Sequence, residues 1–141
     1  MAGAVLAEIA DALSRMVATA EETSIDLRGL PMTDADRTQL QEALGRGEVV
    51  ATLSVAGASE IFETGFSGVW WVCHRGNDER VSSEEIVIGR IPAILLAHPD
   101  DIAAAASRLR ASVAAEAVAA ADVGMNSSAG NRTFEEATYV G

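Results

Sequence analysis

The chain has 141 residues, of which 49% are hydrophobic and 22% charged, and this length and composition suit one globular domain with a single core rather than a disordered chain. All ten basic residues are arginines, which excludes Schiff-base chemistry, a pyridoxal-phosphate lysine and a Walker-type phosphate loop, since each needs an ammonium. A formal net charge of −11 disfavours nucleic acid or an anionic membrane as the main partner and suits a neutral or basic protein surface.

Residues 3–21 space Val5, Leu6, Ile9, Leu13, Met16 and Val17 at three- and four-residue intervals, which predicts an amphipathic helix. Ala18-Thr19-Ala20 resembles a signal-peptide cleavage site. No basic stretch precedes it, however, and Glu8 and Asp11 interrupt the apolar run, so the segment reads as helix. No stretch is long and apolar enough for a membrane span, and the chain reads as soluble. Residues 24–31 contain Gly29 and Pro31 and predict an irregular connection with Ile25, Leu27 and Leu30 turned inward. Thr33 then opens a second helix with Asp36 three residues on as a capping box, and Gly45 suits its end.

From Glu48 the pattern becomes β-branched and aromatic with a two-residue period. Four strands are predicted, at residues 49–55, 59–66, 69–74 and 84–91, and the short links between them imply an antiparallel meander. In the second strand Phe62, Thr64 and Phe66 share one face while Ile61, Glu63 and Gly65 share the other, so an apolar face opposes a more polar one. Pro92 ends the sheet, residues 93–97 form a link, and Pro99 opens a helix to about residue 121 with Ile102, Leu109 and Val113 as its packing stripe. The fold class is therefore α+β: a four-stranded antiparallel meander with N-terminal helices and a long C-terminal helix on one face. Residues 1–122 read as a single domain, and 123–141 as a flexible tail in which Phe134 and Tyr139 dock weakly.

Ile25-Asp26-Leu27-Arg28-Gly29-Leu30-Pro31, Leu44-Gly45-Arg46-Gly47-Glu48-Val49, Glu63-Thr64, Phe66-Ser67-Gly68-Val69-Trp70-Trp71-Val72, Glu84-Glu85-Ile86 and Ile91-Pro92-Ala93-Ile94-Leu95 follow one another in a specific order. This ordered set, over roughly residues 24–102, resembles the C-terminal domain of HupH/HyaF hydrogenase expression and formation proteins. The resemblance implies a cytoplasmic, non-enzymatic maturation factor or chaperone for [NiFe] hydrogenase. Such a factor binds a subunit precursor, the iron–sulfur small subunit being favoured, and other maturation proteins are further partners. Family members are about twice as long, on the scale of two domains, with an N-terminal region that this chain lacks.

Adjacent strand residues point to opposite faces, so Trp70 and Trp71 are expected on opposite sides of the sheet, one buried and one exposed. With Phe62, Glu63 and Phe66 nearby, the exposed indole would form a partner-binding patch. Its bland alternative is cover by the N-terminal helix or by a second copy of the chain. Cys73 is the sole cysteine, so one chain can form no internal disulfide and no cysteine-rich zinc or iron–sulfur site, which fits a reducing compartment. Cys73 and His74 point to opposite sides and share no ligand; a buried thiol and a strand-end histidine are expected. His98 is expected to cap the last helix. Asp100 and Asp101 suit that helix's dipole, and Glu84 and Glu85 flank a strand on its solvated side. No cofactor, metal or catalytic residue is assigned. The rival function is a small-molecule binder or small enzyme using His74, His98 and nearby carboxylates in a pocket.

Overall fold

The computed structural model describes residues 1–54 and 57–126, side chains being described through 124, and it divides into two compact units, Met1–Leu96 and Ala97–Gly141. The first unit runs α1 (Ala2–Thr19), β1 (Thr23–Asp26), α2 (Asp34–Leu44), β2 (Val50–Leu53), β3 (Ser59–Glu63), β4 (Val69–Arg75), β5 (Val81–Ile88) and a 3₁₀ turn at Ala93–Leu95. The strands form one sheet in the order β1-β5-β4-β3-β2, and every neighbouring pair is antiparallel.

α1 buries Val5, Ile9 and Ala12 one turn apart, with Leu6, Leu13 and Met16 packed beside them. It ends where Ala20 turns left-handed and donates its N–H to the Met16 carbonyl. Val17, expected in the stripe, is 89% exposed in the last turn of the helix. α2 opens on the expected capping box, with the Thr33 hydroxyl accepting from the Asp36 N–H at 3.1 Å and the Asp36 carboxylate accepting from the Thr33 N–H at 3.1 Å. Gly45 ends it at φ 66°. Helices α1 and α2 cover one sheet face, where the register lines up Val50, Phe62, Trp71, Ile86 and Ile25 across all five strands.

The sheet has five strands rather than four. Ile25 and Leu27 do turn inward as expected, but Thr23–Asp26, which carries Ile25, is an edge strand paired with β5 rather than an irregular connection. β5 also begins three residues earlier than expected, at Val81, which places Glu84 in mid-strand. Glu84 is consequently buried under α2 rather than solvated, and its Oε1 lies 3.1 Å from Arg37 Nη2. That oxygen accepts no hydrogen bond of good geometry, so charge pairing with Arg37 is its main compensation.

In the second unit α3 (Pro99–Asn126) starts at Pro99 as expected and runs past residue 121. Ile102, Leu109 and Val113, expected as a packing stripe, are exposed, and alanine's intrinsic propensity supports the helix locally. No helix among the described residues is long and apolar enough to cross a membrane. Of the expected tail, residues 127–141, with Phe134 and Tyr139, lie outside the described residues.

Two stability predictions follow from α2. Arg37→Ala strands the Glu84 carboxylate under the helix and should cost about 2–3 kcal/mol in urea unfolding, below the roughly 3–5 kcal/mol of a fully buried pair because the guanidinium is partly exposed. Asp36 is held below its ordinary 3.8 by the Thr33 backbone N–H first and the Thr33 hydroxyl second. A lowered folded-state value contributes stability above the unfolded value and loses it as pH falls through the folded one. Thr33→Ala should therefore lower the melting temperature at neutral pH, and the gap from wild type should narrow in melts below about pH 4.

Candidate functional site

The two tryptophans do split between the sheet faces, but both are buried, at 5% exposure for Trp70 and 2% for Trp71. Trp71 lies beneath the helices with its ring parallel to Phe62, planes 3° apart and centroids 6.2 Å apart. Trp70 packs on the opposite face with Ile61 and Val72, covered by Leu53, Val87 and Leu95, and its Nε1 donates to the Gly89 carbonyl at 3.1 Å. The expected exposed indole is thus overturned. The face read as the more polar one carries a second apolar layer, and the segment read as a plain link, Ala93–Leu95, helps to close it.

Among the described residues the exposed aromatic is Phe66, 51% accessible on the β3–β4 turn. Its backbone is tied from several directions. Thr64, itself buried, donates its N–H to Val69 O at 2.9 Å, and its hydroxyl accepts from the Phe66 N–H and donates to Phe66 O, both at 3.2 Å. The Gly65 N–H donates to Leu44 O at the end of α2, and the Gly89 N–H to Gly68 O, each at 2.9 Å. Gly68 sits at φ 86°, and the methionine and leucine tips of α1, Met16 and Leu13, lie against it. Gly47 passes so close that a Cβ there would stand 2.7 Å from Thr64 O. Phe66 therefore rides on backbone that α1, α2, β4 and the ends of β2 and β5 hold in place.

Val49 is exposed at this end of the sheet, where its carbonyl accepts from the Glu63 N–H, and Ile91, three residues beyond β5, is exposed as well. Half-buried Glu63 and exposed Glu48 flank Val49, and Glu22 lies against Gly89. Of the residues expected to bind a partner, Phe66 and Glu63 reach this surface, whereas Phe62, Trp70 and Trp71 support it from within.

A recess of about 360 Å³ opens beside the Phe62–Trp71 pair, bounded by Gln41, Glu42, Gly45 and Arg46. The Arg46 guanidinium carbon stands 4.1 Å from the Phe62 ring centroid, a cation–π contact, and Arg46 also pairs with Glu60. Sequence reasoning missed Arg46 because nothing in the local pattern marks it; its role comes from where α2 ends above β3.

Neither histidine meets a carboxylate in a cavity. His74 Nδ1 lies 2.7 Å from the buried Ser59 hydroxyl at the far end of β3 and β4. His98 caps α3 as expected: its Nδ1 accepts from the Asp100 N–H at 3.1 Å, in solvent. Cys73 is buried on the helix face, and burial first, then the Glu84 carboxylate, pushes its thiol above the ordinary value.

These features define a helix-covered antiparallel sheet that, among the described residues, projects one aromatic side chain from a hydrogen-bonded surface turn. The chain belongs to the family described as HupH hydrogenase expression protein, C-terminal conserved region, which matches residues 1–116. It is 33% identical over 111 residues to the hydrogenase expression/formation protein HoxQ of Azotobacter vinelandii, covering 77% of this chain and 39% of that protein. To the hydrogenase expression/formation protein HupH of Rhizobium leguminosarum it is 29% identical over 106 residues, covering 75% and 38%. The chain thus spans about two fifths of the length of these relatives. The solved structure of the hydrogenase expression protein HupH from Thiobacillus denitrificans superposes with a TM-score of 0.78 at 39% identity, covering 80% of this chain and 94% of that one.

The burial of the indoles and the exposure of Phe66 make opposite predictions for the two kinds of aromatic. Trp71→Ala should cost about 3–5 kcal/mol in denaturant unfolding, whereas Phe66→Ala should stay within about 0.5 kcal/mol of wild type.

Proposed function

We propose that this protein is a non-catalytic accessory factor of [NiFe] hydrogenase maturation that works in the cytoplasm by holding a hydrogenase subunit precursor, the iron–sulfur small subunit being the favoured cargo. Membership of the HupH family supports the pathway. The observation that carries the binding mode is Phe66, a large apolar side chain in water on backbone that is pinned on several sides. An aromatic anchor whose backbone is already held gives up little backbone freedom when a partner covers it, so more of the burial of its ring goes into affinity.

In this reading Phe66 supplies the anchor and Glu63 a polar rim. Val49 widens the apolar centre, and the buried Phe62, Trp70 and Trp71 underpin it. The acidic flank of Glu22, Glu48 and Glu63 favours a neutral or basic counterpart over another acidic one. The nearest alternative, a small enzyme built on His74 and His98, draws less support, because one ring is engaged with a serine and the other with a helix end.

The test is co-purification with separately expressed hydrogenase subunits. The wild-type chain should retain the small-subunit precursor, and Phe66→Ala should weaken capture by about 30-fold with its melting temperature unchanged. Equal capture by wild type and variant would remove Phe66 from the interface, and capture of no hydrogenase subunit would remove the function.

A further inference from the structure

We infer that the outer edge of β2 takes up an extended segment of a partner polypeptide as a sixth strand of the sheet. The segment is neutral or basic and carries a large apolar side chain that lies over Val50 toward the Phe62–Arg46 recess. The hydrogen-bond phase of the sheet leads to this edge. The Glu63 N–H donates to Val49 O, the Thr64 N–H to Val69 O and the Arg75 N–H to Ala58 O, so alternate residues of β3 face β4 and β2 in turn. Val49, Ala51 and Leu53 thereby point their backbone groups at β3, and the N–H and C=O of Val50 and Thr52 point away from the sheet. Among the described residues no strand pairs with that side.

The two edges of the sheet differ. β1 ends in Asp26, whose carboxylate folds back onto the Arg28 N–H and puts a charge at the edge. β2 reads Val-Ala-Thr-Leu, without proline, charge or bulge among those four residues, so that only its shortness restrains pairing at this edge. Val50 is 52% exposed on the helix-side face, directly across from Phe62. A residue exchanging both hydrogen bonds with Val50 would share that face, and a long side chain on it would pass over Val50 to the recess bounded by Gln41, Arg46 and Phe62. The backbone then supplies adhesion and the recess selectivity, which is the logic of strand addition. Charge argues against a second copy as the occupant, since each chain carries −11 and the two would repel. The inference stands whether or not the partner is a hydrogenase subunit, and its test uses none.

The probe is a fluorescein-labelled peptide alternating threonine with valine, with one central valine replaced by phenylalanine and an arginine at each end. It should bind the full chain by fluorescence anisotropy and slow hydrogen exchange at the Val50 and Thr52 amides in NMR spectra. N-methylation of its phenylalanine and valine residues, whose N–H groups would face β2, should weaken binding by about tenfold or more, and N-methylation of the threonines should not. Thr52→Pro, which removes an outward N–H and no bond to β3, should reproduce that loss; if the variant does not fold, the two methylated peptides still decide. Phe66→Ala should leave peptide affinity unchanged, which separates this edge from the anchor proposed above. Absence of peptide binding, equal affinity of the two methylated peptides, or protection elsewhere would overturn the inference. A dimer in light scattering with Val50 and Thr52 already protected would overturn it in favour of pairing between copies.

Discussion

β4 buries five side chains in succession, Val69 to Cys73, and so has no face left for water. A strand of that kind is stable only if the sheet is covered on both sides. The helix face is closed by α1 and α2, and the other by Ile61, Leu53, Val87 and Leu95 packed around Trp70. The remaining architecture can be understood as the means of meeting this demand. α2 is locked down by its charge pairing with Glu84, and the Trp70 indole satisfies its one polar group on the carbonyl of Gly89.

The same demand positions the surface. Because β4 is enclosed, its entry turn is hemmed in by the last turn of α2, the tips of α1 and the departing end of β5, all of which contribute contacts to it. Phe66 cannot join either core layer from there, so it is presented outward on backbone with little freedom. Burial of the tryptophans and display of the phenylalanine are two results of one packing problem.

Local chemistry was legible wherever it was short-range. The Thr33–Asp36 cap, the helix end at Gly45 and the His98 cap each depend on residues within three positions of one another, and all three fall where expected, although Gly45 combines its positive φ with an extended ψ rather than the left-handed helical one. The hairpins around β3 and β4 were readable for the same reason. β1 was not, because four residues with polar neighbours show no period, and the segment becomes a strand through pairing with β5, some sixty residues later. The early start of β5 was hidden by Ser82 and Ser83, and with it the burial of Glu84. Opposite orientation of Trp70 and Trp71 followed from strand geometry, but whether each face was covered depended on tertiary packing that no local pattern encodes. Arg46 belongs to the same group, since its stacking on Phe62 arises from the descent of α2 onto the sheet.

Cys73 sits at the centre of this arrangement, buried between sheet and helices with its thiol held largely in the unreactive protonated form. As the chain contains no other sulfhydryl, an alkylating reagent meets it chiefly when the helical layer lifts from the strands. The molecule therefore carries its own built-in clock for breathing of the core. Trapping of that one sulfur by a reagent would time how often the interior opens, with no label added and no side chain changed.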